Sequence, residues 1–471
     1  MAPARHSRTK IVCTLGPATA TEAAIRGLID EGMNVARINF SHGTLEQHTE
    51  TVRIVRALAA DVDRPIAILA DLQGPRIRVG DLPSSVVVRE GDDVIFVPEG
   101  DERPGEVPIT YEALADDVRV GDRILVDDGL IDFLVLDIRG RRVSARVLHG
   151  GEIRSHKGMN LPGVQVSAPS ITEKDRADVA FAIDHDLDYV ALSFVRRAED
   201  ISSIRALIPK SMLVVAKIEK DVALANIESI LRSTDAVMVA RGDLGVELPF
   251  EEVPTAQKRI IALATRYGRP VITATQMLES MVENPRPTRA EASDVANAIL
   301  DGTDAVMLSA ETAAGAFPRL AVAAMTRIIR EMESHPAPIQ RIVEPRSRDS
   351  AVPTEEAIAA ATVAASRMLG TPLVIVFTKS GSTARVVASH RPDVPILALT
   401  DEPRTHRQLA LVWGVIAELV PHCQSYDQMV AVALEVARRR EFARQGDRVI
   451  VTAGVPFDEP GTTNLMKVER V

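Results

Sequence analysis

The chain has 471 residues, of which 46% are hydrophobic and 25% are charged, and its formal net charge is −10. This balance is typical of a folded protein with several cores and excludes a largely disordered chain. An acidic chain with 3% aromatic residues and no block of lysine or arginine is also poorly suited to nucleic acid, so small molecules are the expected partners.

Neither a membrane span nor a secretion signal is expected. No apolar run approaches the roughly 18 residues needed to cross a bilayer, and no apolar stretch follows the basic residues 1–10. The two cysteines, Cys13 and Cys423, cannot build a disulfide framework or a cysteine metal cluster. We therefore expect a cytoplasmic protein.

Short apolar runs alternate with helix-length amphipathic stretches in two parts of the chain. The runs cover residues 11–15, 34–40, 65–72, 188–194, 212–219, 235–239, 270–276 and 304–309, and the clearest helical patterns cover residues 21–31, 44–60, 252–267 and 288–300. Runs that are apolar on both faces and lie between helices predict parallel strands with covered faces. Eight such units predict an α/β protein with a (β/α)₈ TIM barrel.

The alternation breaks once, after the third run. Residues 120–126, 130–138 and 142–148 predict strands joined by Gly-containing turns, without long helices between them. We predict a small β-barrel lid domain, residues 75–166, inserted between the third strand and its helix. Residues 1–74 and 167–340 then form the catalytic barrel, close to the roughly 250 residues typical of this fold.

A third domain follows the barrel. Residues 335–353 contain four prolines and mixed charge and are predicted to be a linker. Beyond them, a helix at 354–369 and strands at 373–377, 396–399 and 448–452 predict an open α/β domain. We assign residues 341–471 to this C-terminal domain, and Trp413 within it to a core or an interface.

Polar residues collect where the predicted barrel strands end, and such ends form the active site of a TIM barrel. They are Arg37, Asn39, Ser41, Asp71, Lys217, Glu219, Arg241, Gly242, Asp243, Thr273, Thr275 and Gln276. A layer of mutually neutralising ion pairs is the structural alternative. Five polar strand ends together favour function, because an unused layer would more easily be apolar.

These residue types suit phosphoryl transfer. Glu219 and Asp243, without histidine or cysteine nearby, suit Mg²⁺, which one or two carboxylates commonly hold. Lys217 and Arg37 supply positive charge for a phosphoryl group or a developing enolate. Neither a Walker A nor a G-x-G-x-x-G pattern occurs, which disfavours a P-loop or Rossmann nucleotide site.

Seven motifs extend this interpretation. They are residues 10–17 (KIVCTLGP), 33–43 (MNVARINFSHG), 160–163 (NLPG), 216–219 (AKIE), 238–247 (MVARGDLGVE), 274–280 (ATQMLES) and 286–297 (RPTRAEASDVAN). In these motifs, and in the order of barrel, lid and C-terminal domain, the chain resembles the pyruvate kinases along essentially its whole length. The resemblance implies phosphoryl transfer from phosphoenolpyruvate to ADP, giving pyruvate and ATP in the last step of glycolysis.

The resemblance also implies roles for individual residues. Glu219 and Asp243 would hold Mg²⁺ or Mn²⁺, and Lys217 would stabilise the phosphoryl group in flight and the enolate. Arg37 would clamp the substrate phosphate, while the Gly242 backbone and Thr275 would contact the substrate carboxylate. Thr275 would share with water the protonation of the enolate.

Nucleotide contacts are implied in the barrel and in the lid. They correspond to Asn39, Phe40, Ser41, His42, Arg78 and Lys157. Lys157 is otherwise an ordinary solvated loop lysine. As a nucleotide contact, it implies that the lid swings over the barrel mouth and excludes water.

A regulatory site is implied in the C-terminal domain. Its loop follows a strand, opens a helix and consists of Thr378, Lys379, Ser380, Gly381, Ser382 and Thr383. Backbone N–H groups at a helix start bind phosphate, although an ordinary helix cap is the alternative. The resemblance implies a phosphorylated allosteric effector here, and a homotetramer built from barrel–barrel and C-terminal contacts.

The resemblance also bears on whether the protein binds and requires a monovalent cation. Many members hold K⁺ at positions matching Asn39, Ser41, Asp71 and the carbonyl of Leu72. Members that need K⁺ carry glutamate at position 76, and those that do not tend to carry Leu-Gln at 72–73 with lysine at 76. This chain has Leu72, Gln73 and Arg76. We predict that K⁺ binds without being required, because Arg76 supplies the charge itself.

Two other functions remain open on the sequence. A lyase or mutase barrel acting on phosphoenolpyruvate or pyruvate would use the same Mg²⁺ and enolate chemistry, but would not need Arg78 and Lys157. An inactive paralogue that binds metabolites would be expected to lack Lys217 or one carboxylate, and the chain retains them.

Overall fold

A computed structural model describes residues 7–335, 352–423, 425–454 and 463–471. They form a closed eight-stranded barrel, an inserted β domain and a C-terminal α/β domain, which confirms the predicted fold class. Most of the predicted linker, and the predicted boundary between residues 340 and 341, lie outside the described residues. Within the described residues, no helix has both the length and the apolar character of a membrane span.

The chain begins with the first part of the barrel. Its elements are β1 (Lys10–Leu15), α1 (Glu22–Glu31), β2 (Val35–Asn39), α2 (Leu45–Asp61) and β3 (Ala67–Asp71). The insert follows with β4 (Ile77–Arg78), β5 (Val86–Val88), β6 (Asp93–Pro98), β7 (Val107–Ile109), α3 (Leu114–Asp117), β8 (Arg123–Val126), β9 (Ile131–Arg139), β10 (Arg142–His149), β11 (Gly151–Ile153) and β12 (Gly158–Asn160).

The second part of the barrel alternates strands and helices. It contains α4 (Glu173–Asp184), β13 (Tyr189–Leu192), α5 (Ala198–Arg205), β14 (Leu213–Ile218), α6 (Asp221–Ala225), α7 (Ile227–Ser233), β15 (Ala236–Ala240), α8 (Arg241–Glu247), α9 (Val253–Arg266), β16 (Val271–Ala274), α10 (Arg289–Asp301), β17 (Ala305–Leu308), α11 (Ala310–Ala313) and α12 (Pro318–Ser334). The strand order β1-β17-β16-β15-β14-β13-β3-β2 closes the barrel. Each of the eight predicted runs coincides with one of these strands.

The insert folds around its own apolar core. Seven strands form the sheet β4-β12-β8-β9-β10-β6-β7, and β5 pairs with β11. A bridge between Val79 and Ile109 joins the two edges of the seven-stranded sheet, so the insert is barrel-like. Phe96 and Phe133 meet edge to face inside it, with ring centroids 5.0 Å apart. The limits 75 and 166 of this domain, called the lid below, stay a prediction.

One helix cap fixes the point where the chain enters the lid. Thr172 caps α4, and Asp175 Oδ2 accepts hydrogen bonds from the Thr172 backbone N–H at 2.8 Å and its hydroxyl at 2.7 Å. Asp175 Oδ1 accepts a third hydrogen bond, 3.0 Å long, from the Gly74 N–H. Gly74 has φ +70°, and a Cβ there would lie 2.9 Å from the Phe194 ring, so glycine is required.

The C-terminal domain is an open sheet with helices. Its elements are α13 (Thr354–Leu369), β18 (Val374–Phe377), α14 (Ser382–Ser389), β19 (Ile396–Thr400), α15 (Pro403–Gln408), β20 (Val415–Leu419), α16 (Tyr426–Arg439), β21 (Arg448–Gly454) and β22 (Thr463–Arg470). The strand order is β20-β19-β18-β21-β22, and only β22 runs antiparallel to its neighbour.

Buried polar contacts join this domain to the barrel. Arg407 Nε lies 2.7 Å from Asp188 Oδ1, and the Tyr189 hydroxyl donates to the Gln408 carbonyl at 2.6 Å. Trp413 lies at the same junction, with the guanidinium carbons of Arg8 and Arg391 at 5.6 and 4.7 Å from its ring. Trp413 therefore belongs to an interface between domains.

Candidate active site

Four charged residues of alternating sign meet at the ends of β2, β3 and β14. Arg37 Nε lies 2.6 Å from Asp71 Oδ2, and Lys217 Nζ lies 3.2 Å from Asp71 Oδ1. Lys217 Nζ also lies 2.8 Å from Glu219 Oε1. Asp71 and Glu219 are each only 1% exposed. The structure thus brings together residues that are far apart in the sequence.

The cluster keeps Lys217 charged. Burial alone would lower the pKa of Lys217, but attraction by Asp71 and Glu219 outweighs it and raises this pKa above its ordinary value. Burial would likewise raise the pKa of Asp71, but Lys217 and Arg37 hold it below its usual range. A fixed positive charge among carboxylates can therefore face an incoming anion.

Ser193 completes the surroundings of Lys217 and was missed by the sequence analysis. Lys217 Nζ donates to Ser193 Oγ at 2.7 Å, and the Ser193 hydroxyl donates to the Leu72 carbonyl at 2.7 Å. Ser193 follows β13 directly and is 2% exposed. Its only sequence signal was one hydroxyl near the end of an otherwise apolar run.

Asp243 lies in a helix and not at the end of a strand. The prediction placed Arg241, Gly242 and Asp243 at the end of the sixth strand, but β15 ends at Ala240 and these residues form the first turn of α8. The Gly242 N–H donates to Thr275 Oγ1 at 2.8 Å. The helical turn therefore presents its N–H group towards Thr275.

Thr275 follows β16 in an unusual conformation. The seventh strand ends at Ala274 and not at Gln276 as predicted, because Thr275 has φ +66° and Gln276 has φ +53°. Arg241 holds this backbone, donating to the Thr275 carbonyl at 2.7 Å and pairing with Asp294 at 2.7 Å. The sequence analysis named Arg241 without this positioning role.

The carboxylates of Glu219 and Asp243 fit a divalent cation. Burial, with added repulsion from Glu219, raises the pKa of Asp243 to about 6. A bound cation would relieve this repulsion. The described residues contain no group of three or more His, Cys, Asp or Glu side chains that would hold a metal. Because Mg²⁺ is commonly held by one or two carboxylates, with substrate oxygens and water as its other ligands, the pair fits this ion.

The predicted nucleotide residues of the barrel form a turn after β2. Asn39 is the last residue of β2, so Ser41, predicted at the strand end, lies beyond the strand. The Ser41 N–H donates to Asn39 Oδ1 at 3.1 Å, and the His42 N–H donates to the Asn39 carbonyl at 3.2 Å. Lys174, which the sequence analysis missed, donates to the Phe40 carbonyl at 2.7 Å.

The predicted nucleotide residues of the lid pair within the lid. Arg78 Nη1 donates to the His156 carbonyl at 2.7 Å. Lys157 Nζ lies 2.9 Å from Asp127 Oδ1, and its side chain is 36% exposed. Lys157 is therefore partly open to solvent on the lid.

A cavity of about 410 Å³ separates the lid from the barrel. Its lining includes Arg76, Asp128, Asn160, Phe194, Lys220 and Asp243. Because Asp243 lines it, the cavity reaches one of the two carboxylates proposed to hold the metal. Arg76 also acts on Asp243 electrostatically: its positive charge lowers the pKa of Asp243, whereas burial raises it.

The predicted effector loop lies where β18 ends and α14 begins. Gly381 is the helix cap with φ +76°, and the Thr405 hydroxyl donates to the Lys379 carbonyl at 2.6 Å. Arg385 donates to the Ser380 carbonyl at 3.1 Å. Thr378, Ser382 and Thr383 lie on either side of the cap, and Thr383 Oγ1 is 2.5 Å from Thr463 Oγ1. Loop and helix start therefore occur as predicted.

Fold and site together define a class of protein, a lidded (β/α)₈ barrel enzyme with a lysine held between carboxylates at its strand ends. The family models "Pyruvate kinase, barrel domain" and "Pyruvate kinase, alpha/beta domain" match residues 6–322 and 356–469. The chain belongs to the pyruvate kinase family. It is an enzyme that transfers the phosphoryl group of phosphoenolpyruvate to ADP.

Relatives match nearly the whole chain. The pyruvate kinase of Geobacillus stearothermophilus is 46% identical over 469 residues, which are 98% of this chain and 80% of the relative. Pyruvate kinase 2 of Synechocystis is 47% identical over 478 residues, covering 98% and 79%. A crystal structure of a pyruvate kinase from Cryptosporidium parvum superposes with a TM-score of 0.93 at 36% identity, covering 99% of this chain and 98% of that one. Family membership implies dependence on a divalent metal ion.

Proposed function

We propose that phosphoryl transfer takes place at the ends of β2, β3, β14 and β16, with Lys217 as the central cation. The observation that carries this proposal is the position of Lys217 Nζ, 2.8 Å from Glu219 and 3.2 Å from Asp71. The two carboxylates keep the ammonium protonated and in place before substrate arrives. Charge that is already oriented stabilises a developing oxyanion without reorganisation during the reaction.

The substrate lies between Arg37 and the first turn of α8. Arg37 holds the phosphate of phosphoenolpyruvate, and the Gly242 backbone with Thr275 holds its carboxylate, next to Asp243. Glu219 and Asp243 hold Mg²⁺ or Mn²⁺, which when bound neutralises charge on the substrate oxygens. Lys217 faces the phosphoryl group in transit and the enolate oxygen left behind.

The acceptor lies between the barrel and the lid. Asn39, Phe40, Ser41 and His42 line its barrel side, and Arg78 and Lys157 approach its phosphates from the lid. Closure excludes water, which would otherwise compete with ADP for the phosphoryl group. After transfer, the enolate takes a proton through the Thr275 hydroxyl and water. A hydroxyl alone is too weak an acid for this step.

A monovalent cation fits beside the cluster without being essential. Asp71 Oδ1 is buried and contacts Lys217 Nζ at 3.2 Å, and Asn39, Ser41 and the Leu72 carbonyl supply further oxygens. The Arg76 guanidinium at the cavity provides permanent positive charge, which supports activity without K⁺.

Control is proposed to act through the C-terminal domain. A phosphorylated effector at residues 378–383 would bind at the start of α14, within a homotetramer. An effector response that survives Thr378→Ala and Lys379→Ala together would contradict the site, and a monomer at assay concentration would contradict the assembly.

Replacement of the central cation tests the proposed chemistry. Lys217→Met should lower turnover by about 10²–10³-fold, the usual effect of removing one oriented group at an oxyanion. Binding of phosphoenolpyruvate with Mg²⁺, measured by calorimetry, should persist through Arg37 and the carboxylates. Near-normal turnover of the purified variant would exclude Lys217 from the mechanism.

A further inference from the structure

The lid contacts the barrel at the C-terminal end of α8. Asn160, in lid strand β12, donates from Nδ2 to Glu247 Oε1 at 3.2 Å. Nearby, the lid turn after β8 lies against the same helix, since a Cβ on Gly129 would be 3.7 Å from Val246 Cγ1. A strand end and a turn of the lid therefore contact the last turn of one short helix.

The carboxylate that receives the lid is buried and only partly satisfied. Glu247 Oε1 also pairs with the ammonium of Lys220, which belongs to the barrel. Glu247 Oε2 is buried and has no hydrogen-bond partner in the part of the chain that the structure describes. Leaving a buried oxygen without a partner costs free energy, which offsets part of the stability that the hydrogen bond from Asn160 contributes.

The barrel side of this contact is attached to the proposed metal ligands. Lys220 directly follows Glu219 in the chain. Glu247 follows Asp243 by one turn of α8, so the two carboxylates lie on the same side of the helix. A lid that contacts Glu247 is thus held one helical turn from Asp243, and Lys220, which pairs with Glu247, is adjacent to Glu219.

We propose that Asn160 and Glu247 form a latch that sets the closed position of the lid over Asp243. The latch rests on the closing lid proposed above and adds positioning residues to it. Glu247 and Asn160 act through the position of the lid, and Lys220 holds the Glu247 carboxylate in place. The Phe194 ring lies 6.0 Å from Lys220 Nζ, and Phe194 directly follows Ser193, whose hydroxyl accepts a hydrogen bond from Lys217.

An isosteric change of charge tests the latch. In Asn160→Asp, two carboxylates would face each other at about the present hydrogen-bond distance, and their repulsion should hold the lid open. We expect kcat/KM to fall at least tenfold, while phosphoenolpyruvate binds the barrel with Mg²⁺ within twofold of wild type. Asn160→Ala, which removes the contact without repulsion, should show a smaller loss in the same direction.

Hydrolysis of phosphoenolpyruvate by water is a second quantity to measure. It would not change if Asn160 and Glu247 had only a structural role. With the lid displaced, water attacks the phosphorus of phosphoenolpyruvate, the bond to the enol oxygen breaks, and the enolate takes a proton to give pyruvate and inorganic phosphate. The ratio of phosphate released to ATP formed should rise several-fold in Asn160→Asp. Wild type should show little release under the same conditions.

A second change should restore the latch. In the double variant Asn160→Asp/Glu247→Gln the roles of donor and acceptor are exchanged, and the negative charge beside Lys220 is kept. We expect recovery of kcat/KM and of the release ratio to within about threefold of wild type. Val87→Asp places the same charge on an exposed lid strand, 69% exposed, and should leave both quantities unchanged.

The experiments distinguish the proposed latch from the proposed closing lid. Wild-type kinetics and release in Asn160→Asp would overturn the latch, as would a double variant no better than the single one. If Asn160→Asp does not fold, an Asn160→Ala variant with wild-type release would overturn it instead. Unchanged ADP kinetics in Lys157→Ala would overturn the closing lid itself, which is a different result.

Discussion

Removing the Ser193 hydroxyl should impair turnover although Ser193 is not among the proposed substrate contacts. Lys217 Nζ has three partners, Asp71, Glu219 and Ser193. In Ser193→Ala one donor of a buried ammonium loses its acceptor, and the Leu72 carbonyl loses its donor. The two carboxylates should then draw the ammonium away from the reacting phosphoryl group.

The size of the effect follows from the charge on Lys217. A hydrogen bond to a charged group contributes about 1.5–3 kcal/mol, and loss of that amount in the transition state lowers the rate by about 10- to 150-fold. The change should appear in kcat, because Arg37 and the first turn of α8 still bind the substrate. Ser193→Cys keeps a weak S–H donor and acceptor and should show an intermediate loss.

A coupled pyruvate-formation assay with each substrate varied in turn measures this effect. Ser203→Ala, which removes an exposed hydroxyl bonded to the Glu199 carbonyl, is the matched control and should behave as wild type. Thermal unfolding should show that both variants remain folded. A Ser193→Ala enzyme with kcat within twofold of wild type would refute the argument that Ser193 positions Lys217.

Three further predictions concern the lid and the cations. Lys157→Ala should weaken ADP affinity or turnover while phosphoenolpyruvate binding persists, as initial-rate kinetics in both substrates will show. In a buffer whose only monovalent cation is a bulky tetraalkylammonium, the enzyme should remain active, and Arg76→Glu should create a K⁺ requirement; activation of the unmodified enzyme by more than about tenfold on adding K⁺ would contradict this. Because the pKa of Asp243 is about 6, a metal must displace a proton below that pH. Calorimetric Mg²⁺ affinity should therefore fall by about tenfold per pH unit below 6 and stay level above it, and a flat profile would contradict the assignment.

The fold was largely predictable because its signals are local. Each barrel strand is an apolar run, and helix starts such as Thr288 with Glu291 follow capping patterns. The proximity of Lys217 and Glu219 was also predictable, because side chains two positions apart in an extended strand point to the same side. The lid was visible as a stretch without helical periodicity.

Other parts of the site depend on contacts between distant segments. The spacing of Thr275 behind an apolar run suggested a longer strand, but Arg241 holds it in the left-handed region. Ser193 and Lys174 have partners, Leu72 and Phe40, that lie more than a hundred positions away in the sequence. Periodicity carries no information about such pairs, so only the folded chain reveals them.

The place of Trp413 has a spectroscopic consequence. The chain contains one tryptophan, and it lies between Arg8 and Arg391 at the junction of barrel and C-terminal domain. Its ultraviolet emission therefore comes from this junction alone, without a background from other indoles. A rotation of the C-terminal domain against the barrel would move the guanidinium of Arg8, which belongs to the barrel part of the chain, relative to the ring and shift the emission. The unmodified enzyme thus carries an optical reporter of domain rearrangement, and stopped-flow fluorescence can follow that motion without an attached dye.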